Sequence, residues 1–196
     1  MKQICPPEKC AGCWACYNIC PKQCIQMKEG KLLHLYPTIN QEKCINCGLC
    51  QKVCPSNHPL PSTQPLHTYA AWAKDEQEYK TSTSGGIGAC LSKYIIQNNG
   101  VVYGCGCLPN AEIKHIRVEN EKDLLLLKGS KYVQSSINDN YKSVKKDLIN
   151  QRKVLFTGTP CQIAGLKSYL KKDYTNLYTV DIICHGVPSL QLEFKL

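Results

Sequence analysis

A run of four cysteines closed by Cys-Pro occurs twice near the start of this chain, with identical spacing. The pattern is C-x2-C-x2-C-x3-C-P, and its members are Cys10, Cys13, Cys16, Cys20, Cys44, Cys47, Cys50 and Cys54. A cubane needs four thiolates, and three closely spaced cysteines wrap only one side of it. This spacing is typical of domains that hold two [4Fe–4S] clusters, in which the fourth cysteine of each run ligates the other cluster. The repeat therefore predicts an α+β ferredoxin-like two-cluster domain.

The crossing of the fourth cysteines divides the eight ligands into two sets. We assign Cys10, Cys13, Cys16 and Cys54 to cluster 1, and Cys20, Cys44, Cys47 and Cys50 to cluster 2. Structural zinc is a weaker interpretation, because it prefers cysteine pairs separated by a longer gap. Disulfides are disfavoured because no signal peptide precedes the first run, which predicts a cytoplasmic protein with reduced thiols.

Composition narrows the set of partners. Lysine and arginine number 24 against 15 acidic residues, a formal charge of +9. We interpret this excess as compensation for anionic cofactors and expect no nucleic-acid partner. No segment approaches the roughly 20 apolar residues of a membrane span, so none is expected.

The order of segments predicts two folded parts. Residues 1–56 are expected to form the ferredoxin domain, with short strands near 25–27 and 32–35, and residues 57–67 a proline-rich linker. An α/β flavin-binding part follows in two portions, 68–150 and 151–196. Its predicted strands are 69–73, 101–107, 112–118 at an edge, 153–157, and 177–183 in a buried position. Its predicted helices are 86–98, 137–150 and 160–170.

Two segments distant in sequence are expected to meet at one edge of the sheet. Thr159 suits a helix N-cap and Pro160 the first helical position, so strand, helix and strand follow one another from 153 to 183. Such a unit makes the two strands parallel, and ligands bind at their carboxyl ends. The segments brought together would be Gly158, Thr159, Pro160 and Cys161 with Cys184, His185 and Gly186.

Two glycine-containing segments are candidate phosphate sites. Ser84, Gly85 and Gly86 open a predicted helix, whose first N–H groups attract anions. A second set offers a hydroxyl, a cation and an aromatic ring for pyrophosphate and ring binding: Gly129, Ser130, Lys131 and Tyr132. A plain helix cap and an ordinary loop are the respective alternatives.

The remaining cysteines and other side chains have open roles. Cys161, in a first helical turn, and Cys184 are candidate extra cluster ligands, redox thiols or small pocket residues; buried inert thiols are commoner. Cys105 and Cys107 are interpreted as small core residues, and Cys5, Cys24 and Cys90 as spare thiols, with Cys24 a possible cluster shield. The four histidines His34, His58, His67 and His115 are expected at the surface or in loops. Three lysine-rich pairs, 145–146, 152–153 and 171–172, are either solvated or dock an acidic electron donor.

The α/β part resembles the coenzyme F420 hydrogenase and dehydrogenase beta subunit family. The resemblance lies in residues 83–86 (TSGG), 128–135 (KGSKYVQS), 154–166 (VLFTGTPCQIAGL) and 181–188 (DIICHGVP). It implies FAD in the α/β part, clusters that feed it, a redox partner protein or subunit, and a small-molecule hydride acceptor or donor. It favours flavin contact by the residues at 84–86, 129–132, 158–160 and His185.

The same resemblance leaves the activity open. Family members usually continue well beyond the position of Leu196, so we expect an incomplete flavin domain that ends within a helix at 190–196. The leading hypothesis is an iron–sulfur flavoprotein oxidoreductase. The alternatives are a non-catalytic electron carrier and an accessory protein of a surface-polysaccharide pathway.

Overall fold

A computed structural model describes residues 3–30, 33–109 and 111–188. Its helices are α1 (Ala15–Ile19), α2 (Leu49–Lys52), α3 (Glu76–Lys80), α4 (Ile87–Gln97), α5 (Asn140–Ile149) and α6 (Pro160–Leu170). Its strands are β1 (Ile25–Glu29), β2 (Leu35–Ile39), β3 (Val101–Cys107), β4 (Ile113–Val118), β5 (Val154–Gly158) and β6 (Leu177–Asp181). Short 3₁₀ turns occupy Pro7–Lys9 and Lys122–Leu127.

The strands form two sheets. β1 and β2 pair in antiparallel orientation beside the cysteine loops, with Ile25 opposite Ile39. The second sheet has the order β4-β3-β5-β6. β3 pairs with β4 in antiparallel orientation, whereas β5 is parallel to both β3 and β6. The predicted parallel unit and the predicted edge strand at 112–118 are therefore both confirmed.

Local sequence explains where α6 begins. Thr159 and Gln162 form a capping box, in which the Thr159 side chain accepts from the Gln162 backbone and the Gln162 carboxamide accepts from the Thr159 N–H at 3.0 Å. Pro160 takes the first helical position, where a missing N–H costs nothing. The start of α6 at the end of β5 is thus fixed as predicted.

Four sequence predictions about local structure were wrong. Residues 69–73 form no strand, because the segment has no neighbouring strand; only a bond from the Ala73 N–H to the Gly85 carbonyl, at 2.7 Å, ties its end. β6 is half-buried rather than buried, because no strand covers its outer edge among the described residues, and Ile183 beyond it is 87% exposed. Cys107 is exposed near the end of β3, whereas His115 is buried in β4.

The cysteine-rich part and the α/β part share one hydrophobic core. Trp14, Ala15 and Val53 belong to the same buried cluster as Tyr103 and Phe156. Hydrogen bonds cross the junction from the Asn18 amide to the Asn138 carbonyl (2.8 Å) and from the Leu35 N–H to the Gln134 carboxamide oxygen (2.6 Å). Residues 59–74, which contain most of the predicted linker, have no helix or strand. The shared core therefore holds the two parts together independently of that segment.

Two further predictions concern the carboxyl terminus and membrane spans. The helix expected at 190–196 lies outside the described residues. Among helices of the described ranges, none is long and apolar enough to cross a membrane.

Candidate iron–sulfur and flavin sites

The structure gathers the eight motif cysteines around two separate cavities. The first has an empty volume of about 330 Å³, including space open to solvent, and its lining includes Cys10, Cys13, Cys16 and Cys54. The second is about 350 Å³, measured in the same way, and its lining includes Cys20, Cys44, Cys47 and Cys50. Each cavity thus takes three cysteines from one run and the fourth from the other, the division predicted from the repeat.

The first cavity fits an anionic cluster. Burial raises the pKa of Cys13 to about 12, with Cys161, Cys54 and Cys10 adding to the effect. Binding iron would relieve this crowding of buried thiols, because each thiolate then neutralises metal charge. Trp14 lines the same cavity, and its buried indole N–H has no acceptor among the described residues. A cluster sulfur would supply such an acceptor.

Glycine shapes the loop that carries Cys10 and Cys13. Gly12 has φ +60°, the left-handed region that favours glycine, and a Cβ there would collide with the Gln134 carboxamide. The turn lets the loop wrap the cavity while its backbone lies against the α/β part. In the described ranges no three His, Cys, Asp or Glu side chains lie close enough to hold a single metal ion.

Each cavity also contains a fifth cysteine, of which sequence interpretation treated Cys5 as spare and Cys24 as spare or a possible cluster shield. Cys5 lines the first cavity and Cys24 the second, and both are buried. The Cys24 sulfur lies 3.4 Å from the Cys20 sulfur. Their closeness along the chain to Cys10 and Cys20 was the available signal. A thiol beside a ligand can donate a weak hydrogen bond to its sulfur and so influence the cluster potential.

The first cavity abuts helix α6. A Cβ on Gly165 would lie 3.1 Å from both the Cβ and the carbonyl oxygen of Cys13, and 3.0 Å from the Tyr141 hydroxyl. That hydroxyl lies 2.8 Å from the carbonyl oxygens of Cys13 and Gln162. The loop of cluster 1 therefore touches α6 at the backbone level.

The strand ends converge as predicted. The Ile182 N–H donates to the Gly158 carbonyl at 2.9 Å, which joins the ends of β5 and β6. Burial and the nearby Cys184 raise the pKa of Cys161, whose sulfur lies 3.1 Å from the Thr159 hydroxyl. Cys161 is thus close enough to Cys13 and to Cys184 for each pair to affect one another's pKa. His185 is exposed.

A second feature of this edge is a groove of about 1400 Å³ that opens to solvent. Its walls come from the loop before α4, the first turn of α4, the loop after Lys122–Leu127 and the ends of β5 and β6. Its lining includes Ser84, Gly85, Gly86, Gly88, Lys128, Gly129, Thr157, Val180 and Ile182. The structure therefore unites the predicted segment 84–86 with Gly129 and the strand ends.

The groove combines several glycines with a balanced set of charges, since Lys93 pairs with Glu121 and Lys128 with Glu78. A Cβ on Gly88 would meet no atom within 4 Å, so no contact within the described chain demands glycine there, whereas the φ of +81° at Gly129 favours glycine by itself. Gly88 is the second residue of α4, and glycine is a poorer helix former than alanine. Lys128 supplies a cation on this wall, 2.5 Å from Glu78 and 2.8 Å from the Thr81 hydroxyl. Glycines that leave room beside a helix N-terminus suit close approach of a phosphate.

Several predicted cofactor residues do not line this groove. The Lys131 ammonium group donates to the carbonyls of Leu127 (2.9 Å) and Lys128 (2.8 Å), and so caps the carboxyl end of the 3₁₀ turn. Tyr132 is 69% exposed. The others outside the lining are Ser130, Gly158, Thr159, Pro160 and His185.

A buried polar network runs between the two sites. The Gln162 amide lies 3.3 Å from the Ser135 hydroxyl, and that hydroxyl lies 2.6 Å from Nδ1 of His115. Nε2 of His115 is 3.0 Å from the Thr157 carbonyl, and Thr157 lines the groove. A carbonyl only accepts, so Nε2 carries the proton and Nδ1 accepts from Ser135. The network holds a neutral His115 between α6, which contacts the Cys13 loop, and the groove wall at Thr157.

We expect His115 to make stability depend on pH. Burial lowers its pKa from 6.5 to about 4, so the unfolded chain binds a proton at a higher pH than the folded chain does. The stabilisation is present above pH 6.5 and decreases as pH falls toward 4, by about 2 kcal/mol between pH 7 and pH 5. Anaerobic denaturant unfolding at both pH values measures the loss. His115→Gln, which cannot titrate, is the control, and an equal pH dependence in both proteins would contradict the prediction.

Comparisons with known proteins match separate portions of the chain. Residues 9–58 match the model of a 4Fe-4S dicluster domain, and a second dicluster model matches residues 36–94. Residues 151–193 match the model of the carboxyl-terminal region of the beta subunit of coenzyme F420 hydrogenase/dehydrogenase.

One curated relative covers nearly the whole chain. Coenzyme F420-dependent sulfite reductase from Methanocaldococcus jannaschii is 25% identical over 205 aligned residues, which are 96% of this chain and 29% of the relative. The chain thus spans less than a third of that protein's length. The dicluster match implies two [4Fe–4S] clusters. The chain is thus similar to a 4Fe-4S dicluster domain over residues 9–58 and to the carboxyl-terminal region of the coenzyme F420 hydrogenase/dehydrogenase beta subunit over residues 151–193.

Proposed function

We propose that this chain is an oxidoreductase subunit that passes electrons between two [4Fe–4S] clusters and an FAD in the groove. The observation that carries the proposal is the position of the β5–α6 unit. Thr157 at the end of β5 lines the groove, while Gly165 in α6 lies against Cys13. One supersecondary unit thus borders both candidate redox sites.

The chain's own residues have distinct tasks in this proposal. The eight motif cysteines hold the two clusters, and Trp14 covers cluster 1. Gly88 leaves room for the cofactor, while the first turn of α4 and Lys128, which is paired with Glu78, lie where its phosphates would bind. When bound, a flavin supplies the link between one-electron transfer and two-electron hydride chemistry.

The hydride partner is proposed to be a small soluble acceptor or donor, either F420-like or of another kind. The support is the match of residues 151–193 and the name of the curated relative. An electron carrier without its own catalysis is the second candidate. The observation that favours it is the exposure of Ile182 and Ile183 beside the groove, 51% and 87%, which leaves that side uncovered.

Cofactor analysis of the anaerobically purified protein tests the proposal. We expect about eight irons and one FAD per chain. Mixing with reduced F420, NADH or NADPH in a stopped-flow instrument should bleach the cluster absorbance with at least one donor. Zinc in place of iron would contradict the cluster assignment. Cluster absorbance without flavin, even after incubation with FAD, would favour the carrier over the oxidoreductase.

A further inference from the structure

The two cavities have different surroundings. Cavity 1 is enclosed on the side where Cys13 meets α6 and Tyr141. Around cavity 2, by contrast, Cys47 is exposed, and Ile45, which also lines the cavity, is 57% exposed. A protein partner can therefore approach cluster 2 closely at Cys47.

Three lysines lie on or next to the segments that line this cavity. Lys22 lines cavity 2, Lys43 precedes Cys44, and Lys52 ends helix α2, which carries Cys50. All three lysines are exposed, and none forms an ion pair with another residue of the described ranges. Glu42 is an exposed acid on the same loop. We call this surface, made of Lys22, Lys43, Ile45, Cys47 and Lys52, the cluster 2 face.

We propose that the cluster 2 face docks an acidic electron-carrier protein. This inference rests on the proposed function and adds its protein partner and the place where electrons enter or leave. Unpaired lysines around an exposed apolar side chain give a basic rim with a dry centre, a pattern that complements an acidic carrier. In the exchange the reduced carrier loses one electron and cluster 2 gains it, with no bond made or broken.

The lysine pair 145–146 fits this docking role less well. The Lys145 ammonium group lies over the ring of Tyr169, 5.8 Å from its centroid, and that ring packs against Tyr141. Lys145 and Lys146 are on α5, and neither lines a cluster cavity. The cluster 2 face is therefore a better docking surface for the donor than the lysine pair 145–146.

A matched pair of charge reversals tests the surface. The test variant is Lys22→Glu with Lys43→Glu, and the control is Lys145→Glu with Lys146→Glu, so the change in net charge is the same. Each full-length protein is mixed with a reduced plant-type [2Fe–2S] ferredoxin, and cluster reduction is followed by absorbance. We expect the test variant to react at least about tenfold more slowly at low ionic strength, because steering changes association rates by about 10 to 1000-fold. The difference should shrink as salt is added.

A small reductant separates docking from tuning of the cluster. Methyl viologen radical cation needs no docking surface, so its rate should not fall in the test variant. Equal slowing by the two variants, or a parallel loss with methyl viologen and a lower cluster 2 potential, would overturn the proposal. Missing iron would instead contradict the proposed function. Missing FAD would contradict only its flavin step, because the measured event is cluster reduction.

Discussion

Removing Cys13 and Cys54 together is expected to leave about four irons in each chain, whereas removing Cys13 and Cys20 together is expected to leave none. The first pair lines one cavity, so its loss destroys cluster 1 alone. Cys20 lines the other cavity, so the second pair damages both clusters. Within one run the two cysteines are close in sequence, yet they are predicted to serve different metal centres.

Iron analysis and low-temperature EPR of the reduced proteins measure this outcome. The single Cys13→Ala and Cys20→Ala variants serve as controls, and each should retain one cluster. Circular dichroism should show that the α/β sheet persists. The opposite pattern, four irons after loss of Cys13 and Cys20 and none after loss of Cys13 and Cys54, would show that each run holds its own cluster.

The second large effect is expected at Gly88. Gly88→Leu should reduce the affinity for FAD at least about tenfold, because filling a close-fitting site costs about 1–3 kcal/mol. The same substitution should raise the free energy of unfolding without cofactor by less than about 1 kcal/mol, since leucine forms helices better than glycine and position 88 lies in the first turn of α4. Flavin titration and denaturant unfolding measure the two quantities. Opposite changes in binding and stability are the signature of a glycine retained for a ligand.

Two variants of the same helix control for this result. Gly88→Ala adds a single methyl group, which should stabilise α4 with a smaller effect on flavin. Leu91→Ala alters a residue of α4 that is 40% exposed and does not line the groove, so FAD affinity should not change. Undiminished FAD binding by Gly88→Leu would place the cofactor elsewhere.

Much of the cluster arrangement was predictable because it follows from a local repeat. Identical spacing in the two runs demands a fourth ligand from outside each run, which assigns Cys20 and Cys54 without any three-dimensional information. The parallel pairing of β5 and β6 was equally accessible, because a helix of eleven residues connects them. Thr159 and Pro160 mark the start of that helix in the sequence itself.

The burial of His115 was not predicted, because tertiary contacts determine it. His115 looked like a surface residue because a single histidine on an edge strand has no partner pattern. Its burial arises from distant residues, since its ring stacks on Phe156 at 5.2 Å and its nitrogens meet Ser135 and Thr157. No short-range pattern encodes such an arrangement.

The same limit applies to the two lysines beside Gly129. Either could serve a phosphate by composition alone. Gly129 has φ +81°, and beyond it Lys131 returns to the carbonyls of the preceding turn. Of these two lysines, Lys128, which precedes Gly129, lines the groove. The direction of the chain after one glycine thus distinguishes a structural cation from a candidate binding residue.

Gly165 has a consequence for how the parts of this molecule move. Because it has no side chain, the backbone of α6 rests directly on the Cys13 loop, with no flexible group between them. The separation between cluster 1 and the strand-end edge is therefore fixed by two stiff main chains. Electron transfer across this junction would need no hinge motion and no encounter between mobile domains. The cysteine-rich part is therefore expected to keep one position against α6, unlike carriers that move between distant sites.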